Sequence, residues 1–392
     1  MRSIFRRYQG DWSTPQKRRV LWFTIHFWLG WVPGLVFSLI GLTGSLLVFW
    51  PELDVWMNPE LRTVDSQMAG ENDVRSLDDI VAAAESVIPP DGTPYALVFP
   101  RFPDTTFAVT YGRPAPNPEQ QEWHEIFVNP YTAHVQGQRL MLDLERPWRG
   151  SFWKFIFCLH YTLAFGEKGA TFVGLLALVL PVLLGTGLIL WWPTRGSVNY
   201  AFAITQKVSR HRRVYDLHRT LGLYSSGLLL ISVVTGLYLV FPDQAKKLIG
   251  VVSPTTPISE DLASIQVAGK RPIGFSAAAA IAERHFPDGR YQWIFFPQGA
   301  DGLYRIVKKA PSERTDILPA RTLWIDQYSG RIIHDYHPQH YTAGDTLERW
   351  LFPLHSGEAF GIGSRILIVI LGLIPGALFI TGILRWAKKR RR

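Results

Sequence analysis

Cysteine is almost absent from this chain, since Cys158 is the only one among 392 residues. An internal disulfide is therefore excluded, and so is a metal site built on a pair of cysteines. The sequence also lacks a glycine-rich fingerprint for a flavin or nicotinamide cofactor and any visible nucleic-acid-binding module. It is instead apolar and aromatic, with 47% hydrophobic residues, 15 Trp and 23 Phe.

Charge is missing from long stretches of the sequence. Residues 21–50 contain no Asp, Glu, Lys or Arg. A helix needs about 20 apolar residues to cross the hydrocarbon core of a bilayer, so this stretch is long enough to span a membrane. Comparable stretches predict four transmembrane helices in all, at about 21–50, 170–192, 217–241 and 365–387.

The positive charge is unevenly distributed. The formal net charge is +9, and basic residues concentrate before residue 20, in 193–216 and in 385–392. These three clusters adjoin the ends of hydrophobic stretches, a pattern typical of the cytoplasmic face of a membrane. With four spans, all three clusters fall on one side, and both termini are expected in the cytoplasm.

The sequence repeats itself after about 192 residues. The stretch 21–50 resembles 213–242, and the alignment pairs His26 with His218 and Thr43-Gly44 with Thr235-Gly236. A second pair of similar segments, 151–166 and 347–361, precedes the second and fourth spans and pairs His160 with His355. We therefore interpret the chain as an internal duplication.

Two long segments, about 51–150 and 243–346, are expected outside the membrane. Each begins with a helix whose predicted N-cap is a serine, Ser76 in the first and Ser276 in the second. Strand-like runs and a tight turn follow in both segments, which predicts a helix packed on a small antiparallel sheet. The predicted fold class is a membrane α-helical protein with four transmembrane helices, internally duplicated, and two periplasmic α+β domains.

These predictions divide the chain into seven parts. They are a basic cytoplasmic N-terminus with the first span (1–50), a first periplasmic domain (51–150), an outer interfacial helix with the second span (151–192), a basic cytoplasmic loop (193–216), the third span (217–241), a second periplasmic domain (242–346), and an outer interfacial helix with the fourth span and basic C-terminus (347–392).

Four histidines occupy matched places in the duplicated frame. His26 and His218 lie near the inner ends of spans one and three, and His160 and His355 lie near the outer ends of spans two and four. A lone histidine at a helix end is more often an interfacial residue than a ligand. Two matched pairs in apolar surroundings instead favour two bis-imidazole sites, each suited to a b-type haem. Zinc or copper fits less well, because no carboxylate or thiolate recurs beside the histidines.

A second group of histidines lies in HDYHPQHY, where His334, His337 and His340 are spaced by three residues. This group is compatible with an outer metal site. The spacing fits neither a strand face nor a proline-containing helix well, so a solvated strand end or loop is the favoured interpretation.

Several motifs resemble one known family, the PepSY-associated transmembrane proteins, also called iron-regulated membrane proteins. They are IHFWLGW, LHYTLAFGEKG, GLILWWPTR, LHRTLGLY and LHSGEAFG, together with the paired turns PYTAHVQGQ and QYSGRIIHDY. Within the family the likeness is strongest to inner-membrane reductases of ferric siderophores such as ferrioxamine. The resemblance implies a bacterial inner-membrane protein with two b-type haems. It carries the ligand roles onto His26 and His218 at the inner haem and onto His160 and His355 at the outer one.

The function implied by this resemblance is electron transfer across the membrane to a ferric siderophore, which releases ferrous iron in the periplasm. The siderophore is expected to be a hydroxamate, although no motif fixes its identity. The electron donor, cytoplasmic or quinol, leaves no signature in the sequence. Two alternatives stay open: a quinol-linked di-haem cytochrome with the same ligands, and a haem-free regulatory membrane protein, since PepSY modules are associated with peptidase inhibition.

The distribution of basic residues makes a topology prediction. A reporter enzyme that is active only in the periplasm should be inactive when it is fused to either terminus of the chain, and active when it is inserted in the segment 51–150. An active C-terminal fusion would require an odd number of spans and would contradict the predicted topology.

Overall fold

The computed structural model describes residues 15–65, 74–115, 121–143, 145–192, 202, 204, 209–257, 261–265, 269–315, 321–337 and 340–390. Part of the predicted basic cluster before residue 20 and part of the one at 193–216 lie outside these residues. The chain divides into two compact units. The helical unit comprises Met1–Leu46, Leu159–Phe241 and Ile366–Arg392, and the sheet unit comprises Leu47–Cys158 and Pro242–Arg365.

The described residues form the following helices and strands. The helices are α1 (Pro15–Leu47), α2 (Trp50–Met57), α3 (Pro59–Arg62), α4 (Leu77–Glu85), α5 (Phe152–Thr162), α6 (Gly166–Ala177), α7 (Val179–Trp191), α8 (Arg210–Val240), α9 (Pro242–Val252), α10 (Phe275–His285), α11 (Ala343–Ser356) and α12 (Ile362–Arg390), with 3₁₀ turns at Pro147–Arg149 and Glu358–Phe360. The strands are β1 (Thr93–Val98), β2 (Phe107–Pro114), β3 (Gln121–Val128), β4 (Val135–Asp143), β5 (Arg290–Phe295), β6 (Leu303–Lys309), β7 (Arg321–Asp326) and β8 (Ile332–Tyr336).

Within the part of the chain that the structure describes, four helical stretches are long and apolar enough to cross a membrane, as the sequence predicts. They are Lys17–Leu47, Gly166–Trp191, Arg210–Val240 and Ile362–Lys388, with mean hydropathies between 1.6 and 2.6. Large apolar side chains on these helices face outward; Val32, for example, is 69% exposed. An apolar surface of this extent is stable in lipid rather than in water.

Two features of the helices that form the spans differ from the sequence-based prediction. The third span begins earlier than predicted, at Arg210, because Ser209 caps the helix by accepting a hydrogen bond from the backbone N–H of Arg212. The second span is broken at Leu178, between α6 and α7. Pro181 has no N–H to donate to the carbonyl of Ala177, one turn earlier, which accounts for a break at this point.

Small residues bring two spans into backbone contact. A Cβ atom placed on Gly41 of α1 would collide with the carbonyl of Gly372 in α12, and the reverse substitution fails in the same way. Ser45 donates a hydrogen bond to the carbonyl of Val369 nearby, at 2.8 Å. Close glycine contact and an interhelical hydrogen bond are the interactions that hold helices together in a bilayer.

The helices expected before the second and fourth spans are present as α5 and α11. After α5 the backbone enters the left-handed region at Leu163 and Ala164, and Gly166 follows at φ 57°. After α11 it does so at Gly357 and Gly361, with φ of 82° and 76°. These residues end each segment before the next span begins, as the glycines in the sequence predict.

The strands of the sheet unit form one antiparallel sheet of eight, in the order β4-β3-β2-β1-β5-β6-β7-β8. Two separate domains were expected, but β1 pairs with β5 and joins the two halves, with Leu97 opposite Ile294. The order is symmetric about this central pair. Each half alone would leave a four-stranded sheet with an additional exposed edge, and pairing the two edges satisfies their backbone groups.

The core of the sheet unit lies between one face of the sheet and helices α4 and α10. Alternate residues along the strands point toward the helices and are completely buried, among them Val109, Ile126 and Ile306. The helices contribute Ile80 and several alanines, which allow close approach to the strands. A single continuous core therefore spans both sequence segments.

Of the two predicted serine N-caps, one is confirmed and the other is wrong. Ser76 caps α4 as expected, accepting a hydrogen bond from the backbone N–H of Asp79. Ser276 was predicted to cap the second helix, but it lies in the first turn of α10, and Gly274 precedes that helix without a side-chain cap. Asp78 instead accepts from the backbone N–H of Ser276, and the Ser276 hydroxyl accepts from the N–H of Asp78. The helix N-termini thus cap each other, a pairing that depends on tertiary contact.

The tight turns predicted in the two halves have the same construction. Asn129 accepts hydrogen bonds through Oδ1 from the backbone N–H groups of Tyr131 and Thr132. Asp326 does the same with Tyr328 and Ser329. Asn and Asp are favoured in such turns because their short side chains can accept a hydrogen bond from the backbone N–H two residues later.

Asp326 is the more strongly bound of the two residues. Its Oδ2 also accepts from the backbone N–H of Ile265. Burial alone would raise the pKa of Asp326, but the hydrogen bonds from Ser329, Ile265 and Tyr328 outweigh burial and hold the pKa well below its usual value. The charged carboxylate therefore stabilises the folded sheet unit.

Replacement of Asp326 by Asn should lower the free energy of unfolding by about 1–3 kcal/mol at neutral pH. The reason is that the NH₂ group that replaces Oδ2 cannot accept the hydrogen bond from the backbone N–H of Ile265. The folded pKa is depressed, so this contribution is present above the unfolded pKa of about 3.9 and is lost as pH falls further. Denaturant unfolding of the full chain in detergent measures the difference against pH. Asp301→Asn, at an exposed carboxylate, is the control. If the difference in unfolding free energy between the parent and Asp326→Asn does not shrink below about pH 4, the argument from the charge of Asp326 is contradicted.

Candidate metal centre

Two of the predicted site residues, His26 on α1 and His218 on α8, meet inside the helical unit. Their ring centroids are 6.3 Å apart, with the ring planes at 89°. Both side chains are half-buried. Residues 192 positions apart in the sequence are thus brought into one site, as the alignment of the two halves predicts.

Each ring is held through Nδ1 by a threonine on a neighbouring span. His26 Nδ1 lies 3.1 Å from Thr186 Oγ1 and 3.2 Å from the carbonyl of Leu183. The Thr186 hydroxyl donates to that same carbonyl, so its oxygen is left to accept from the imidazole. His218 Nδ1 lies 2.9 Å from Thr381 Oγ1, and the Thr381 hydroxyl donates to the carbonyls of Ala377 and Leu378.

These hydrogen bonds determine the chemistry that the two rings offer. A ring that donates its Nδ1–H keeps a lone pair on Nε2, which is the form that binds a metal. Two imidazoles bound to one metal from opposite sides put their centroids about 6.3 Å apart, given about 2.0–2.1 Å for a metal–nitrogen bond and about 1.1 Å from nitrogen to ring centre. The observed separation equals this value.

The number and type of protein ligands limit which metal ion or metal cofactor this site can hold. Among the residues that the structure describes, no group of three or more His, Cys, Asp or Glu side chains is arranged to hold a metal ion. Two imidazoles alone leave a zinc site short of ligands. They suit an iron whose remaining positions are filled by a macrocycle, so the residues present fit a b-type haem.

His160, at the end of α5, is held in the same way as the first two histidines. Its Nδ1 lies 2.9 Å from the carbonyl of Ile40 and 3.3 Å from Thr43 Oγ1. The Thr43 hydroxyl donates to the carbonyls of Leu39 and Ile40. Nδ1 is therefore the nitrogen through which His160 is oriented, as in the first two histidines.

A glycine follows each of these threonines, and the ring rests on it. A Cβ atom on Gly44 would lie 2.8 Å from Cε1 of His160, and one on Gly187 would lie 3.1 Å from Cε1 of His26. On Gly382 the corresponding distance to His218 is 3.7 Å. The threonine oxygen accepts the hydrogen bond from Nδ1–H, and the glycine leaves space for the ring. We call each such Thr-Gly pair, together with the backbone carbonyl that also contacts Nδ1, an imidazole cradle.

Sequence reasoning noted only part of this motif. The alignment of the halves pairs Thr43-Gly44 with Thr235-Gly236, but it gives neither pair a role. The whole sequence contains four Thr-Gly dipeptides, and each lies on a different span: Thr43-Gly44, Thr186-Gly187, Thr235-Gly236 and Thr381-Gly382. One dipeptide per span was a signal that could have identified the cradles.

The fourth predicted ligand, His355, lies in the sheet unit, in the last turn of α11, and is half-buried. The fourth Thr-Gly pair lies on α8 in the helical unit. The Thr235 hydroxyl donates to the carbonyls of Ile231 and Ser232, the same two bonds that Thr43 makes in α1.

The cradles lie at opposite ends of the first span. His26 and Thr43 are 17 residues apart on α1, which corresponds to about 26 Å along the helix axis. His160 is bonded at the Thr43 end, so His26 and His160 cannot bind the same metal. This separation agrees with the expectation that the two histidines serve different sites.

Comparison with known proteins identifies the family. The model of one family, described as the PepSY-associated TM region, matches residues 23–389. The chain belongs to this family. Together with its four apolar helices, this makes it a PepSY-associated membrane protein. No curated protein matches the chain.

The other histidine group does not form a metal site among the described residues of this PepSY-associated protein. His334 lies in β8 with its ring 5.2 Å from that of Trp324. His337 and His340 follow the strand, with their rings 5.7 Å apart. This arrangement fits the predicted strand end and loop rather than a metal cluster.

Replacement of Thr186 or Thr381 by Val should weaken metal-group binding at the His26–His218 site about 10–100-fold, because the imidazole loses the acceptor that sets its orientation. Thr43→Val should leave this site intact, since Thr43 holds His160 instead. Thr24→Val is the matched control, because the Thr24 hydroxyl bonds only to the carbonyl of Val20 in its own helix. Binding is measured by titrating the apoprotein with haemin and following the absorption spectrum. Equal losses in Thr24→Val and Thr186→Val would contradict this role.

Proposed function

We propose that this protein is a di-haem b membrane reductase that passes electrons to a ferric siderophore. The inner haem would be held by His26 and His218, and the outer haem by His160 and His355. The observation that carries the proposal is the His26–His218 pair, whose ring separation and Nδ1 hydrogen bonds suit two residues that would hold one haem iron between them.

The outer site is proposed from two further observations. His160 has the same Nδ1 hydrogen bonding as the first pair. The register of the duplication gives His355 and Thr235 the places of His160 and Thr43. We therefore assign His355 to the outer haem together with His160.

The haems, when bound, would supply one-electron redox chemistry, and the chain supplies their position and surroundings. The threonines beside His26, His160 and His218 accept from Nδ1 and thereby fix the tautomer and the rotation of each ring. The glycines admit the rings, and the apolar spans exclude water from the sites.

The substrate class follows from the resemblance and from the chemistry of iron. A hydroxamate siderophore holds ferric iron with hard oxygen donors, and ferrous iron is held far less well. One added electron therefore releases the metal without movement of the substrate across the membrane. We propose a bacterial inner-membrane location, with both termini cytoplasmic and the sheet unit in the periplasm; the donor is a quinol or a cytoplasmic reductant.

The haem content tests the proposal directly. A pyridine haemochrome assay of the purified chain should give two haems b per chain, both low-spin. Anaerobic addition of a ferric hydroxamate siderophore should reoxidise the reduced band. A value near zero would favour the haem-free regulator, and reduction by quinol without reoxidation by the siderophore would favour the quinol-linked cytochrome.

Single substitutions should separate the two haems. His26→Ala and His218→Ala should remove the same spectral component, and His160→Ala and His355→Ala the other. Gly44→Ala should act like His160→Ala, because the added Cβ would lie 2.8 Å from His160 Cε1. Gly30→Ala in the same helix is the control, since nothing lies within 4 Å of its added Cβ. Loss of the same haem in His26→Ala and His160→Ala would overturn the assignment of the sites.

A further inference from the structure

Arg385, an arginine beside the His26–His218 site, forms no ion pair with a carboxylate of the described residues. Arg385 lies one helical turn after Thr381 on α12, on the side of the helix that holds His218. Its guanidinium lies over the ring of Tyr215, which precedes His218 by three residues on α8. The cation is therefore part of the surroundings of this site.

The neighbouring arginines are balanced by a carboxylate, and Arg385 is not. Arg212 and Arg219 lie 3.0 Å and 3.5 Å from the fully buried Asp216. All three guanidiniums surround the ring of Tyr215, with Arg385 the nearest at 4.5 Å from the ring centroid. Among the described residues, no carboxylate forms an ion pair with Arg385.

A partly buried cation without a counter-charge is unfavourable unless a ligand supplies one. Arginine is the side chain best suited to bind a carboxylate through two parallel hydrogen bonds. We propose that Arg385 binds a propionate carboxylate of the haem at the His26–His218 site. This inference rests on the proposed function and adds a residue that neither the ligand motif nor the family match assigns.

The three arginines offer a matched comparison. Arg212 lies over the same tyrosine ring as Arg385 and carries the same charge, but it is paired with Asp216. Loss of Arg212 therefore removes an equal charge from the same neighbourhood without removing the proposed carboxylate contact. Arg385→Lys keeps the charge and loses the forked geometry.

The test measures haem release from the full chain in a His160→Ala background, so that only the His26–His218 site is followed. The apoprotein is loaded with haemin or with haemin dimethyl ester, whose propionates carry no charge, and release to apomyoglobin is timed. Arg385→Gln should release haemin roughly tenfold faster, as expected for loss of a charge-assisted hydrogen bond. Arg385→Lys should be intermediate, and Arg212→Gln should match the parent.

The ester separates carboxylate binding from a structural effect. Parent and Arg385→Gln should release the ester at the same rate. Equal acceleration for haemin and ester, or no acceleration for either, would overturn the proposal; the second result with loss of a co-purifying anionic lipid would assign Arg385 to a lipid phosphate. A parent chain that takes up no haem would overturn the proposed function as well, whereas normal uptake with an unchanged Arg385→Gln rate overturns this inference alone.

Discussion

The site in the helical unit depends on one interaction, the hydrogen bond from a histidine Nδ1–H to a threonine and a carbonyl of another span. An imidazole in an apolar medium needs a partner for its N–H, since an unsatisfied donor there is costly. The partner also fixes which nitrogen is free. The same bond thus joins α1 to α7 and α8 to α12, and the rings of His26 and His218 held in this way lie 6.3 Å apart.

Much of the architecture can be predicted from the sequence, because membrane spans and repeated histidines leave strong signals. The four spans follow from the length of their apolar stretches, and the meeting of His26 and His218 follows from the alignment of the halves. The threonine partners were harder to predict. A threonine inside an apolar helix commonly bonds its own carbonyl one turn back, so its sequence context does not reveal that it also accepts from another span.

The sheet unit shows the limits of local patterns more clearly. Alternation predicts the strands and the Asn129 and Asp326 turns, since both depend on neighbouring residues. It does not predict that β1 pairs with β5, because edge strands of two similar small sheets have the same pattern as paired strands. Local patterns also do not predict the reciprocal hydrogen bonds between Asp78 and Ser276. Each residue alone resembles an ordinary first-turn residue of its own helix.

Under the proposed function, the first span would carry a haem ligand near one end and a cradle for a second ligand near the other, which would bear on electron transfer between the two haems. The distance between His26 and the Thr43 end is set by the rise of a single continuous helix, α1. Bilayer thickness and movements of the sheet unit leave that distance nearly constant. Since the probability of tunnelling depends steeply on distance, a rigid helix used as a spacer would give the protein a transfer rate that is insensitive to the composition of its membrane.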